Sequence, residues 1–268
     1  MTTLADRTIT ALRNSLDNLS GIVRDLDAAD LDRQSGALEW DVAQVLSHLG
    51  SAAEIGLSGL SAGAVGEPAP GQDFNIAVWA RWDAMSQQEK ADGYLDWAER
   101  FVVAFEGLDA QARESLTVQL SFLPFPADVT LLSGMRLNEF ALHSWDVRVA
   151  FDASAALSDE EAEVLLDQFR GPLNFLVGYL GKTEVLEGDA VAVRIEGSDP
   201  GHVFGLALED SVSLGEAHET PHVAITGPTE AVIRLITGRL REANTPESLV
   251  ISGDAVTLEQ LRAIFPGM

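Results

Sequence analysis

Apolar residues recur three or four positions apart through Ile9, Leu12, Leu16, Leu19, Val23 and Leu26, the spacing that turns one face of a helix toward a core. Residues 30–39 break the pattern. It resumes at Val42, Val45, Leu46 and Leu49 behind a clear entry signal: Asp41 caps the helix, Gln44 completes a capping box, and Trp40 is placed to staple onto Val45. His48 falls on the flank of that apolar stripe, beside Val45 and Ala52. Residues 61–71, rich in Gly, Ala and Pro, read as a loop. A third helical stretch covers residues 76–108 with an interruption near 85–93, and its Trp79, Trp82, Leu95, Trp97, Phe101 and Phe105 read as core filling. The Leu123-Pro124-Phe125-Pro126 turn precedes a fourth helix over 129–150. Four helices of this length predict a four-helix bundle.

Beyond a boundary at residues 151–158 the pattern changes. Residues 159–179 predict a long amphipathic helix, bent or interrupted at Gly171-Pro172. Residues 190–196, 202–208, 211–215 and 222–226 are short, alternating, β-branched runs separated by Gly, Asp and Pro, as strands are. Thr226-Gly227-Pro228 leads into a helix over 229–236 that Gly238 ends, followed by a strand at 249–252 and a closing helix at 257–264. This order predicts an α+β domain. It is not a dinucleotide fold, because no Gly-x-Gly-x-x-Gly follows a strand. The expected division is a helical domain over 1–152 and an α+β domain over 153–268.

The fourth helix carries a polar stripe. Counted at 100° per residue, Arg136, Glu139, His143 and Asp146 fall within an arc of roughly 80°, while Leu137, Phe140, Leu142, Trp145, Val147 and Val149 take much of the remaining circumference. Glu139 and His143, four apart, can converge on one ion. His48 supplies a third ligand from the second helix, completing a two-histidine, one-carboxylate set with positions left open for water or substrate. Arg136 and Asp146 then act as outer supports, Asp146 accepting the proton on the far nitrogen of a ligating histidine. The same residues also suit a purely structural pairing, Arg136 with Glu139 and His143 with Asp146. His202, His218 and His222 have no convergent spacing and predict no second metal site.

Composition narrows the chemistry further. The chain has no cysteine, which excludes disulfides, thiolate metal sites and cysteine nucleophiles and leaves nitrogen and oxygen as metal ligands. The formal net charge is -25, spread evenly: 10 basic against 22 acidic residues up to residue 150, and 7 against 20 beyond it. That field disfavours nucleic acid and anionic membranes as partners. No apolar run approaches the ~20 residues of a membrane span. The N-terminus lacks the basic start and apolar core of a signal peptide, so the expected location is the cytoplasm.

Two segments carry a family resemblance: Trp40-Asp41-Val42-Ala43-Gln44-Val45-Leu46-Ser47-His48-Leu49, and Arg136-Leu137-Asn138-Glu139-Phe140-Ala141-Leu142-His143-Ser144-Trp145-Asp146. Together they resemble the mycothiol-dependent maleylpyruvate isomerase family. The resemblance implies an N-terminal DinB-like four-helix bundle with His48, Glu139 and His143 as ligands of a divalent metal, commonly zinc. It also implies a C-terminal domain similar to the sterol carrier protein 2 fold, which Ile225-Thr226-Gly227-Pro228, Leu235-Ile236-Thr237-Gly238-Arg239 and Ile251-Ser252-Gly253-Asp254 resemble. Arg239 is the arginine that the resemblance assigns to the reaction.

The expected chemistry is activation of a thiol, since a divalent ion lowers the pKa of a bound thiol as it does that of water. With no cysteine in the chain, the thiol comes from a cofactor, and mycothiol is what the resemblance implies. The expected function is a metal- and mycothiol-dependent enzyme that transfers the thiol to, or isomerises, a small electrophilic substrate. Arg136, Asp146 and Arg239 form the expected catalytic group, with Arg136 or Arg239 offering a substrate carboxylate a planar pair of donors. Two other classes suit the same residues: a hydrolase in which the ion activates water and Asp146 assists proton transfer, and a noncatalytic binding or regulatory protein holding an apolar ligand in the second domain. The donor types alone also admit nickel, iron or manganese.

Overall fold

Helix entry in this protein is set by side-chain caps. In the computed structural model, which describes residues 2–186 and 190–267, Thr3, Asp27, Asp41, Ser86, Ser158 and Thr257 each form a reciprocal capping box with the residue three further on. Each box satisfies backbone N–H groups that a helix start leaves without intrahelical partners. The chain divides into two compact units, one ending at Ala155 and the other beginning at Ala156.

The first unit contains α1 (Leu4–Val23), the single turn α2 (Ala28–Leu31), α3 (Val42–Ala64), α4 (Gln72–Asp83), α5 (Gln87–Glu106) and α6 (Ala110–Ser115). A short antiparallel pair, β1 (Thr117–Val118) with β2 (Ala127–Asp128), leads into α7 (Val129–Arg148). The four long helices close a ring in which α1 packs on α5 and α7, and α3 packs on the same two. Leu12, Leu16 and Leu19 of α1, Val45, Leu46 and Leu49 of α3, Tyr94 and Phe105 of α5, and Phe140 and Trp145 of α7 are fully buried between them. At about 1.5–3 kcal/mol for each large apolar side chain, this core is what holds the helices together.

The second unit opens with α8 (Asp159–Phe169) and α9 (Asn174–Leu180). Its strands β3 (Val191–Ser198), β4 (His202–Leu208), β5 (Val212–Gly215), β6 (Val223–Pro228) and β7 (Val250–Ser252) form one sheet in the order β5-β4-β3-β6-β7. The sheet is antiparallel except where β3 runs parallel to β6. α10 (Thr229–Ile236) packs against α8, β3 and β6, and α11 (Leu258–Ile264) closes the chain. Every residue of α10 is buried, including Arg234, whose Nε and Nη2 donate to the two Glu230 carboxylate oxygens, both at 2.7 Å. The expected helical first part and α+β second part are both present. No described helix is long and apolar enough to cross a membrane.

Several local expectations are corrected. Residues 61–64 continue α3 instead of forming a loop; a Cβ at Gly63 would meet the Val118 side chain at 2.6 Å, so the glycine admits β1 against the helix. The interruption expected near 85–93 shrinks to residues 84–86, because the Ser86–Glu89 capping box restarts the helix at once. Trp82 is buried but Trp79 is exposed, so the aromatic series is not uniformly core. The interruption expected at Gly171-Pro172 is present, with α8 ending at Phe169 and α9 beginning at Asn174 around a proline that lacks a backbone N–H. The strand expected to end at Thr226 continues through Gly227 and Pro228, which lead directly into α10 at the expected residue. α6 and the β1–β2 pair had no counterpart in the sequence reading.

Candidate metal centre

His48 lies on the second turn of α3, and Glu139 and His143 lie in the second half of the neighbouring α7. The cap of α3 sets the direction of His48: the Gln44 N–H donates to Asp41 Oδ1 at 2.6 Å, and the Asp41 N–H donates to Gln44 Oε1 at 2.8 Å. Glu139 Oε2 is 3.0 Å from His48 Nε2 and 3.7 Å from His143 Nε2. One donor atom from each of the three residues lies within 4.8 Å of the other two. Bonds of about 2.0–2.1 Å in tetrahedral geometry separate neighbouring ligand atoms by about 3.3 Å, so the spacing and the two-nitrogen, one-oxygen donor set fit a divalent first-row ion. The His48 and Glu139 side chains remain 34% and 32% exposed, which leaves the cluster open to a small molecule. Among the described residues no other group of three such donors converges.

The His143 ring is braced from behind. Its Nδ1 is 2.8 Å from Asp146 Oδ2, and that carboxylate is only 1% exposed. An Nδ1–H donated to Asp146 leaves the imidazole lone pair on Nε2, facing Glu139. Asp146 is braced in turn by the loop before α3, where the Gly36 N–H donates to the Asp146 carbonyl at 2.7 Å. A Cβ at residue 36 would come within 2.8 Å of the Asp146 Cα. Only glycine permits this approach. The Trp40 indole lies against both histidines, with ring centroids 5.1 Å from His48 and 5.7 Å from His143.

Arg136 is close to this group but makes other bonds. Its Nη2 donates to the Leu49 carbonyl at 3.0 Å, and the guanidinium carbon sits 4.9 Å from the Phe140 ring centroid. Burial lowers its pKa to about 10, against the opposing pull of the Glu139 charge. Of the two pairings open to the sequence, His143 with Asp146 is formed as a hydrogen bond, whereas Arg136 bonds to a main-chain carbonyl. Arg239 lies in the second unit, in the turn after α10, with its Nη1 donating to the Thr237 carbonyl at 3.1 Å.

Gly36 and the placement of Trp40 on the imidazoles were not read from the sequence. Trp40 had a signal, since it directly precedes the cap of the helix that carries His48. Gly36 had none, because its role is a backbone approach between segments 110 residues apart.

A family profile described as the mycothiol maleylpyruvate isomerase N-terminal domain matches residues 12–148, a span that includes His48, Glu139, His143 and Asp146. The chain belongs to this family. Among solved structures it is similar to that of the mycothiol-dependent maleylpyruvate isomerase, with a TM-score of 0.62 at 15% identity over 94% of this chain and 96% of the other. A structure of that isomerase with a histidine-to-alanine change gives a TM-score of 0.61 at 16% identity, with the same coverage. At such identities the likeness concerns the fold of both units of this family member. A comparison with curated proteins finds no match.

Proposed function

We propose that the chain is a metal-dependent enzyme that uses the thiol of mycothiol to isomerise a small electrophilic substrate, or to transfer the thiol to it, with maleylpyruvate isomerisation as the leading reaction. The observation that carries this reading is the convergence of His48, Glu139 and His143 in a family member whose sequence has no thiol of its own. A divalent ion held there, proposed as zinc on the family resemblance, would act as a Lewis acid that makes a thiolate available near neutral pH.

The chain's residues supply the setting. Asp146 holds His143 in the tautomer that presents Nε2, and Glu139 adds a negatively charged oxygen donor to the two neutral imidazoles. Arg136 is proposed as a buried positive charge that supports Glu139 as a carboxylate, and Arg239 as the guanidinium that receives a substrate carboxylate. A thiolate that adds to a conjugated double bond leaves a single bond about which the substrate rotates. Expulsion of the same thiolate then restores the double bond in the other geometry, with no net consumption of thiol.

The test is metal content, measured in the parent and in His48→Ala and Glu139→Ala. The parent is expected to hold about one equivalent and both variants to lose it; undiminished stoichiometric metal in both would sink the site. Turnover is then followed with and without mycothiol. Dependence on the thiol supports this reading, and turnover indifferent to it points to hydrolysis.

A further inference from the structure

The two histidines of the cluster are supported in different ways. His143 has a carboxylate on Nδ1, the usual backing that fixes the tautomer and plane of a ligating imidazole. For His48, the ring hydrogen-bond contact present is that of Nε2 with Glu139, and among the described residues nothing bonds its Nδ1. A single hydrogen bond at Nε2 leaves the plane of the imidazole to be set by the side chains packed on it. Two rings lie against it: His143 edge-on, 4.7 Å between centroids, and Trp40, 5.1 Å between centroids at an interplanar angle of 39°, which is the one of the two that is not itself a proposed ligand.

The main chain that carries Trp40 is itself firmly placed. Its carbonyl accepts from the Ser35 N–H at 3.1 Å, the Ser35 hydroxyl at 2.7 Å and the Gln34 side-chain amide at 2.9 Å, while its N–H donates to the Ala37 carbonyl at 3.0 Å. The loop is tied at its ends by Val42 N–H donating to the Arg33 carbonyl at 2.9 Å. Between those ties, Gly36 is bonded to the main chain of Asp146. One short loop thus reaches both histidines, His143 through Gly36 and Asp146, and His48 through the indole.

We infer that Trp40 is the positioning residue for His48, its indole restraining the orientation of that ring as the Asp146 carboxylate restrains that of His143. The inference rests on the metal-centre reading proposed above. Its cost to the protein is small, because a flat aromatic restrains the plane of the imidazole without burying another charge. It also leaves His48 Nδ1 unbonded, so His48 depends on packing where His143 depends on electrostatics.

The test is the affinity of the full-length chain for Co²⁺, read from its ligand-field absorption, and for Zn²⁺, read by competition with a chelating dye. Trp40→Ala is expected to weaken both by about 10-fold, the lower end of what loss of outer support costs a metal site. Trp40→Phe keeps a flat ring and should recover most of that loss. Leu38→Ala, which alters an exposed side chain of the same loop, should leave affinity unchanged. If Trp40→Ala loses helical circular dichroism, Trp40→Leu carries the same expectation with its apolar bulk retained. Parent affinity in the folded Ala or Leu variant, or an equal loss in Trp40→Phe, overturns the inference. His48→Ala separates the two readings: if it binds as tightly as the parent, the metal centre itself fails, whereas weakening by His48→Ala but not by Trp40→Ala defeats only the role given to Trp40.

Discussion

Asp6 shows how a single carboxylate is tuned in this chain. Its pKa is lowered to about 2, chiefly by the hydrogen bond from Arg113 Nη1 at 2.7 Å and then by the Thr3 N–H at 3.0 Å. A folded-state pKa below the ordinary 3.8 means that the unfolded chain takes up the proton first on acidification. The bond's contribution is therefore complete above about pH 4 and disappears as the pH falls through about 2. Asp6→Asn should lower the unfolding free energy by up to ~1 kcal/mol at pH 7, as suits a partly exposed pair. In denaturant titrations from pH 7 to pH 2, that difference should shrink below pH 4; a constant difference would refute the assignment. Arg136 has the opposite sign: burial disfavours its charge, so its desolvation cost is present at neutral pH and is relieved only above about pH 10.

Between helices, Trp82 organises the most extensive contact of the bundle. Its six-membered ring fills the space left by two missing side chains, since a Cβ at Gly50 of α3 would meet it at 2.1 Å and one at Gly93 of α5 at 2.9 Å. Its Nε1 donates to the buried Glu54 carboxylate at 2.9 Å, and Arg81 pairs with the same oxygen. The glycines thus cost some helix propensity but let α4 wedge its last turn against α3 and α5. Gly50→Ala should therefore destabilise the protein by about 1–3 kcal/mol through overpacking, although alanine is the better helix former. Thermal unfolding of this variant beside Gly21→Ala, a helical glycine whose Cβ would meet nothing within 4 Å, checks it; equal or raised stability in Gly50→Ala would contradict the wedge.

For the molecule as a whole, the proposed ligands matter because they join α3 to α7. An ion bound only by the folded chain stabilises it by mass action, by about 2.7 kcal/mol at a free concentration 100 times Kd. Zinc should raise the thermal midpoint of the parent, a chelator should reverse the rise, and Glu139→Ala should show neither response. A rise of the same size in Glu139→Ala would place the stabilising ion elsewhere. All three donors belong to the first unit, so this readout reports on the helical bundle.

The long helices of the bundle, the succession of strands and helices along the second half and the residues of the polar stripe were legible in the sequence, because each depends on short-range periodicity, caps and turn residues. The capping box at Asp41 and Gln44 and the four-residue spacing of Glu139 and His143 needed only local counting. Pairing α3 with α7, which brings His48 Nε2 to 3.0 Å from Glu139, is a matter of side-chain packing across 91 residues. So are the seating of Trp40 on two imidazoles and the parallel alignment of β3 with β6. Local sequence determined which groups were available and which face of a helix they shared; tertiary packing decided which of them met, because only the closed bundle brings distant backbones within reach of one side chain.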